Sequence, residues 1–186
     1  MTTKFVPSGS QTVGPFFSIG LQHMIDAQAE RHTASGMIEL RGKVIDRDDA
    51  PVVDALLEFW CADRIESFAT LEPRGDGLPS GFYRAATNAE GNYRIKATRP
   101  GPAPFGDGTY QAPHFLVLFF ARGLLRHLIT RVYFPMAQEN DTDHVLLQVP
   151  VARRHTLIAH ADSQENHVFH WDIVLQGADE TAFFAW

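Results

Sequence analysis

A single cysteine, Cys61, stands in 186 residues, so no disulfide can close within the chain and a reducing cytoplasm is the expected compartment. No apolar run approaches bilayer length. The longest, Phe115 to Ala121, is far too short to span a membrane. No apolar segment follows Met1-Thr-Thr-Lys4, so no secretory signal is expected. Positive charge is in deficit: 16 Lys and Arg against 22 Asp and Glu leave a formal charge of −6. Nothing in that balance draws the chain to nucleic acid or to an anionic membrane. Neither Ser10 nor Ser163 sits in a Gly-x-Ser-x-Gly context, and no glycine loop is spaced to cradle phosphate. Hydrolase and nucleotide-binding classes therefore lack support. Internal repeats and low-complexity tracts are also absent.

What remains is an ordinary soluble composition, 45% hydrophobic and 20% charged, long enough to bury one core. Residues 1–36 read as an irregular amino-terminal arm and connector, punctuated by Pro7, Gly9, Gly14, Pro15 and Gly20. Within it, Gln11 to Phe17 presents two adjacent aromatics on a backbone that bends at Gly14 and is fixed at Pro15. From Met37 onward strand signals take over. Ile38, Leu40 and Val44 alternate with Glu39, Arg41 and Lys43. Val53 to Trp60 reads as a second strand. Asn88 to Asn92 reads as a hairpin-like turn before the alternating Tyr93, Ile95 and Ala97.

His114 to Ala121 is apolar on both faces and should be a central strand, with Leu128 to Phe134 the next. Pro150 opens a short helix over Val151 to Ala159. Phe169, Trp171, Ile173 and Leu175 mark one face of a last strand. Many short strands with one minor helix predict an all-β fold, a β-sandwich over residues 37–186.

Side chains two apart on a strand share a face, so His114 and Leu116 point the same way. One imidazole beside one isobutyl group is a poor metal site. His114 reads as a satisfied, half-buried histidine. His167 and His170 fall on opposite faces, which argues against a shared metal. His155 and His160 read as solvated, and so do the turn charges Asp162, Glu165, Asp179 and Glu180.

Seven segments occur in order: Ser10 to Phe16, Glu58 to Asp63, Thr98 to Gly101, Gln111 to His114, Phe120 to Gly123, Thr130 to Phe134, and Gln176 to Phe184. Together they resemble the intradiol ring-cleaving dioxygenases. In that family the resemblance implies a non-haem Fe(III) held by two tyrosines and two histidines, anionic phenolates suiting a hard cation. Carried onto this chain, the tyrosine positions fall near Phe68 and on Ala103, and the histidine positions on His114 and Leu116.

The resemblance therefore implies a subunit without catalytic or metal-ligating residues of its own. Its Fe(III) would belong to a homologous catalytic beta chain in a hetero-oligomer. The arm, through Thr12, Gly14, Pro15 and Phe16, and the strand-ending Arg122 would wall the substrate pocket at the interface. Arg122 offers a fork of donors and a full charge to an anionic ligand. The implied reaction uses O2 to open 3,4-dihydroxybenzoate to 3-carboxy-cis,cis-muconate. Two alternatives stand beside it: a non-catalytic β-sandwich binding or structural module, and a subunit for a different carboxylated catechol. The exposed Pro15-Phe16-Phe17 and the apolar end from Ala182 to Trp186 add the expectation of an obligate heteromer.

Overall fold

The computed structural model describes residues 8–30, 36–64, 81–106 and 108–185. Eleven short strands form within them: β1 (Met37–Ile45), β2 (Leu56–Cys61), β3 (Phe82–Ala86), β4 (Asn92–Thr98), β5 (Ala103–Pro104), β6 (Tyr110–Gln111), β7 (His114–Phe120), β8 (Leu128–Tyr133), β9 (His160–Ala161), β10 (Val168–His170) and β11 (Ile173–Val174). One sheet runs β3-β2-β7-β8, antiparallel throughout. In the other, β4 pairs antiparallel with one side of β1. Along the opposite side of β1, β10 and β11 lie parallel, and β9 adds to β10. The expected β-sandwich is the architecture found, with β7 central as its two apolar faces require.

Alternation builds the core. Leu57, Phe59 and Cys61 of β2 and Phe115, Val117 and Phe119 of β7 face Leu40, Val44, Ile95 and Ile173 of the other sheet, all fully buried or nearly so. Aromatic rings lock the layers: Phe59 lies 5.8 Å from Tyr93, and Phe134 meets Phe169 edge-on at 5.1 Å. Offset and edge-on pairs of this kind add to the burial of their area.

The last strand is broken between β10 and β11, and the break is specific. Tyr93 donates its hydroxyl to the Trp171 carbonyl at 2.6 Å, and Asp172 accepts from the Lys43 amide at 2.7 Å. A Cβ on Gly42 would sit 1.8 Å from that same carbonyl oxygen. Only glycine permits the approach.

Four local expectations change. The arm is not irregular throughout: Phe16–Glu30 forms helix α1, with Pro15 just before its start. Proline suits that place because its missing amide would be unpaired there anyway. Second, the turn at Asn88 does not close a hairpin. Asn88 Oδ1 accepts from the Glu90 and Asn92 amides, but β3 lies in one sheet and β4 in the other, so the turn is a corner between layers. Third, Val151–Leu157 is a 3-10 helix, and a short helix α2 (His144–Gln148) precedes it. Fourth, the apolar carboxyl end, expected as a poor surface for a free monomer, is partly packed onto the domain. Thr181 and Ala182 are buried, and the Phe184 amide donates to Ile129 O at 2.8 Å. Phe68 and Trp186 lie outside the described residues.

Gly42→Ala should destabilise the fold by about 2 kcal/mol or more, because backbone must shift to admit the methyl. Gly20, in α1 with open space around its Cβ position, makes the control. Gly20→Ala should be neutral or stabilising by up to about 1 kcal/mol. Urea unfolding of both variants checks the pair.

Candidate functional site

Two segments far apart in sequence meet at one edge of the β3-β2-β7-β8 sheet. β7 ends at Phe120, and the chain turns through Ala121, Arg122 and Gly123, where φ reaches +89°. The Gly123 amide donates to Thr12 Oγ1 at 2.8 Å, which straps the arm across the turn. Phe17 of α1 adds a ring contact to Phe120 with centroids 5.5 Å apart. Between arm and turn lies an open cleft of about 180 Å³, lined by Gln11, Val13, Phe120, Leu124, Arg126 and His127 among others. Gly14 has no atom within 4 Å of its Cβ position, leaving backbone accessible there. Phe16 is 80% exposed at the start of α1, and Leu125 on the turn is 61% exposed. Arg122 projects from the turn and pairs with Asp54, Nη2 to Oδ2 at 3.3 Å.

Thr12 and the Arg122 turn, singled out separately in the sequence, are thus brought together, and Gly14, Pro15 and Phe16 follow directly along the arm. Arg126, His127 and Asp54 carry no motif and were missed. The His127 ring lies tilted against Phe120 with centroids 5.4 Å apart, a neighbour that only the strand ending could have suggested.

A second constellation surrounds His114, which is 2% exposed. Its Nδ1 lies 2.7 Å from Ala112 O. A carbonyl can only accept, so the proton sits on Nδ1 and Nε2 keeps the lone pair. Across the strand pair, Tyr133 lies opposite His114 and Arg131 opposite Leu116. Arg131 Nη1 donates to Gln111 Oε1 at 2.8 Å and to Tyr133 Oη at 3.2 Å, and Tyr133 donates to Asp143 Oδ1 at 3.0 Å. The buried Asp143 also accepts from the amides of Ala112, Val145 and Leu146, so it caps α2 and ties it to this face. Burial pushes the Tyr133 phenol up. Burial, helped by the Arg131 charge, holds the His114 imidazole down at about 4.

These side chains do not suit a ferric ion. Ala103 and Leu116 bring a methyl and an isobutyl group where donor atoms would be needed, and a guanidinium stands beside the imidazole. Among the described residues, no three of His, Cys, Asp and Glu converge as a metal-holding group. Other titratable groups are engaged one by one. His170 bonds Asp162 at 2.9 Å, whereas His167 and His155 have looser carboxylate neighbours at 3.8 Å, Glu165 and Asp179. Asp162 does more than meet solvent. It accepts from the amides of Gln164 and Glu165 and from His170, and these bonds lower its carboxyl to about 2.

A dioxygenase family model matches residues 14–177, which takes in α1 and the strands of both sheets. The chain belongs to the intradiol dioxygenase family. More particularly, it is similar to the protocatechuate 3,4-dioxygenase alpha chain of Burkholderia cepacia, 37% identical over 98% of either chain. The beta chain of the same enzyme from that organism is 28% identical over 93% of this chain and 77% of its own length. Among solved structures, the dioxygenase domain of a carbohydrate-binding fusion protein from Streptomyces sp. SirexAA-E superposes with TM-score 0.57 at 25% identity, covering 82% of this chain and 84% of that one.

The depressed His114 predicts a pH dependence. The unfolded chain binds the proton near the ordinary imidazole value of 6.5, the folded one only near 4. Unfolding is therefore favoured by protonation. Stability should be intact above the ordinary value and fall as pH drops through that window, by a total of about 3 kcal/mol. His114→Gln should flatten this part of the stability–pH curve, measured by urea unfolding at stepped pH.

Proposed function

We propose that the chain is the non-ligating alpha-type subunit of a protocatechuate 3,4-dioxygenase, completing the substrate pocket of a homologous beta chain that holds the Fe(III). One observation carries the reading. Thr12 fixes the arm over the Phe-Ala-Arg-Gly turn and so makes a cleft that is too open to enclose an aromatic acid by itself. Leu125, which lines the cleft, and Phe16, further along the arm at the start of α1, present exposed apolar surface that a second chain would cover. The donor-poor Ala103 and Leu116 support placing the iron elsewhere.

The roles of this chain's residues follow from their chemistry. The flat face of Phe16 and the backbone near Gly14 and Pro15 wall the aromatic ring. Thr12 holds that wall in place. Arg122 meets the substrate carboxylate with charge and a fork of donors. Activation of the catecholate and O2 chemistry fall to the partner's Fe(III). This subunit contributes orientation and exclusion of water, which hold the ring near its reactive geometry.

Purification alone and with a beta-type chain tests the division of labour. The isolated chain should carry no stoichiometric iron and lack the visible absorption of phenolate bound to Fe(III). The co-expressed pair should purify together, carry iron, and open 3,4-dihydroxybenzoate. About one tightly held iron per isolated chain would sink the reading.

Within the assembled enzyme, Arg122→Ala should lower kcat/KM for protocatechuate by roughly ten- to a hundredfold, the range expected for a lost charge-assisted hydrogen bond. Iron content should not change. Plain catechol, lacking the carboxylate, should be nearly indifferent, and Arg122→Lys should recover part of the loss. Equal losses on both substrates would make Arg122 structural.

A further inference from the structure

Asp54 lies at the end of the β1–β2 connection, in the left-handed region with φ +58°. Such a conformation is uncommon outside glycine, and asparagine and aspartate tolerate it best. A turn alone would be served as well by glycine or asparagine. Here the carboxylate has a partner: Asp54 Oδ2 stands 3.3 Å from Arg122 Nη2.

The platform under Asp54 is firm. The next residue, Ala55, is fully buried, and its amide donates to Thr87 Oγ1 at 2.9 Å. The Thr87 amide returns a bond to Ala55 O, also at 2.9 Å. On the other side of the turn, Thr12 holds the Gly123 amide. Arg122 is thus gripped by its backbone neighbour through the arm and by its side chain through Asp54. Among the described residues, this is the one ion pair recorded for Arg122.

We propose that Asp54 is a positioning residue that orients the Arg122 guanidinium toward the carboxylate of an aromatic acid substrate; this rests on the function proposed above. A free arginine side chain at a turn samples many rotamers and loses that freedom on binding. A carboxylate fixed to one Nη2 restricts the sampling beforehand. Guanidinium has five donor hydrogens, so pairing through Nη2 leaves the remaining edge for a second carboxylate. Asp54 makes no contact with the substrate in this scheme and acts only through Arg122.

Asp54→Asn is the informative variant, because asparagine keeps the left-handed backbone and removes only the charge. In the assembled enzyme it should raise KM for protocatechuate by about two- to fivefold, the size expected for an exposed ion pair, with kcat nearly unchanged. Asp54→Gly should match it, since glycine also accepts the backbone. The effect should shrink at high salt. Catechol turnover should be unaffected, and Asp54→Asn added to Arg122→Ala should cause no further loss, because the two residues act as one unit.

An unchanged KM, an equal loss with catechol, or additive losses in the double variant would overturn the proposal. The underlying reading fails separately. If the assembled wild-type enzyme does not open protocatechuate, or if Arg122→Ala is silent, that reading falls and Asp54 with it. A large Arg122→Ala effect beside a silent Asp54→Asn removes Asp54 alone.

Discussion

The approach of the Trp171 carbonyl to Gly42 is the contact on which the rest of the body depends. β1 is paired on both sides, by β4 on one and by β10 and β11 on the other. A side chain at residue 42 would push the broken final strand away from it. Because glycine stands there, Tyr93 can reach across and satisfy the carbonyl, and the Trp171 indole can donate to Thr156 O at 2.9 Å. Removing the Tyr93 hydroxyl would leave a buried carbonyl short of a partner, which costs more than the bond itself contributes. The break also redirects the chain end. Thr181 Oγ1 accepts from the Val174 amide and Ala182 O accepts from Thr130, so the terminus returns to β8.

The opposite sheet solves a different problem on its outer face. A scaffold that resembles a metal site must fill the place with something. Here the filling is a polar network from Gln111 through Arg131 and Tyr133 to Asp143, with His114 packed against it. Each buried member has a partner, as low dielectric demands. The guanidinium supplies a permanent positive charge, and the neutral imidazole adapts by giving up its proton affinity. The same network caps α2 through Asp143, so these side chains do structural work.

Strands were legible because their apolar residues alternate, and β7 because both its faces are apolar. Helix α1 was not, although Phe17, Leu21, Met24 and Ile25 recur at helical spacing. Gly14, Pro15 and Gly20 suggested a broken backbone, yet Pro15 marks the helix start and Gly20 is carried within it. Asn88 to Asn92 announced a turn without saying which sheet would receive β4, since that choice rests on pairing with β1 far upstream. Of the site, Thr12 and Arg122 could be picked out by motif. Asp54 could not, because its meaning arises only when the β1–β2 connection is folded beside a turn 68 residues later, at Arg122.

Charge at the cleft differs from charge overall. The chain is acidic in sum, at −6. Yet the turn that meets the arm carries Arg122 and Arg126, with His127 between Arg126 and the next strand. A local positive field of this kind concentrates an anionic ligand even on an acidic protein, because screening confines each group's influence to about 10 Å at moderate salt. The nearby Asp54 would oppose that field if it acted as a bare charge. In the proposed role it is paired with Arg122, where it would remove part of the attraction and contribute direction instead. In that role, an open cleft has more need of direction than of extra charge: an anionic substrate would be drawn in by Arg126, and the direction given by the Asp54–Arg122 pair would set which way its ring faces.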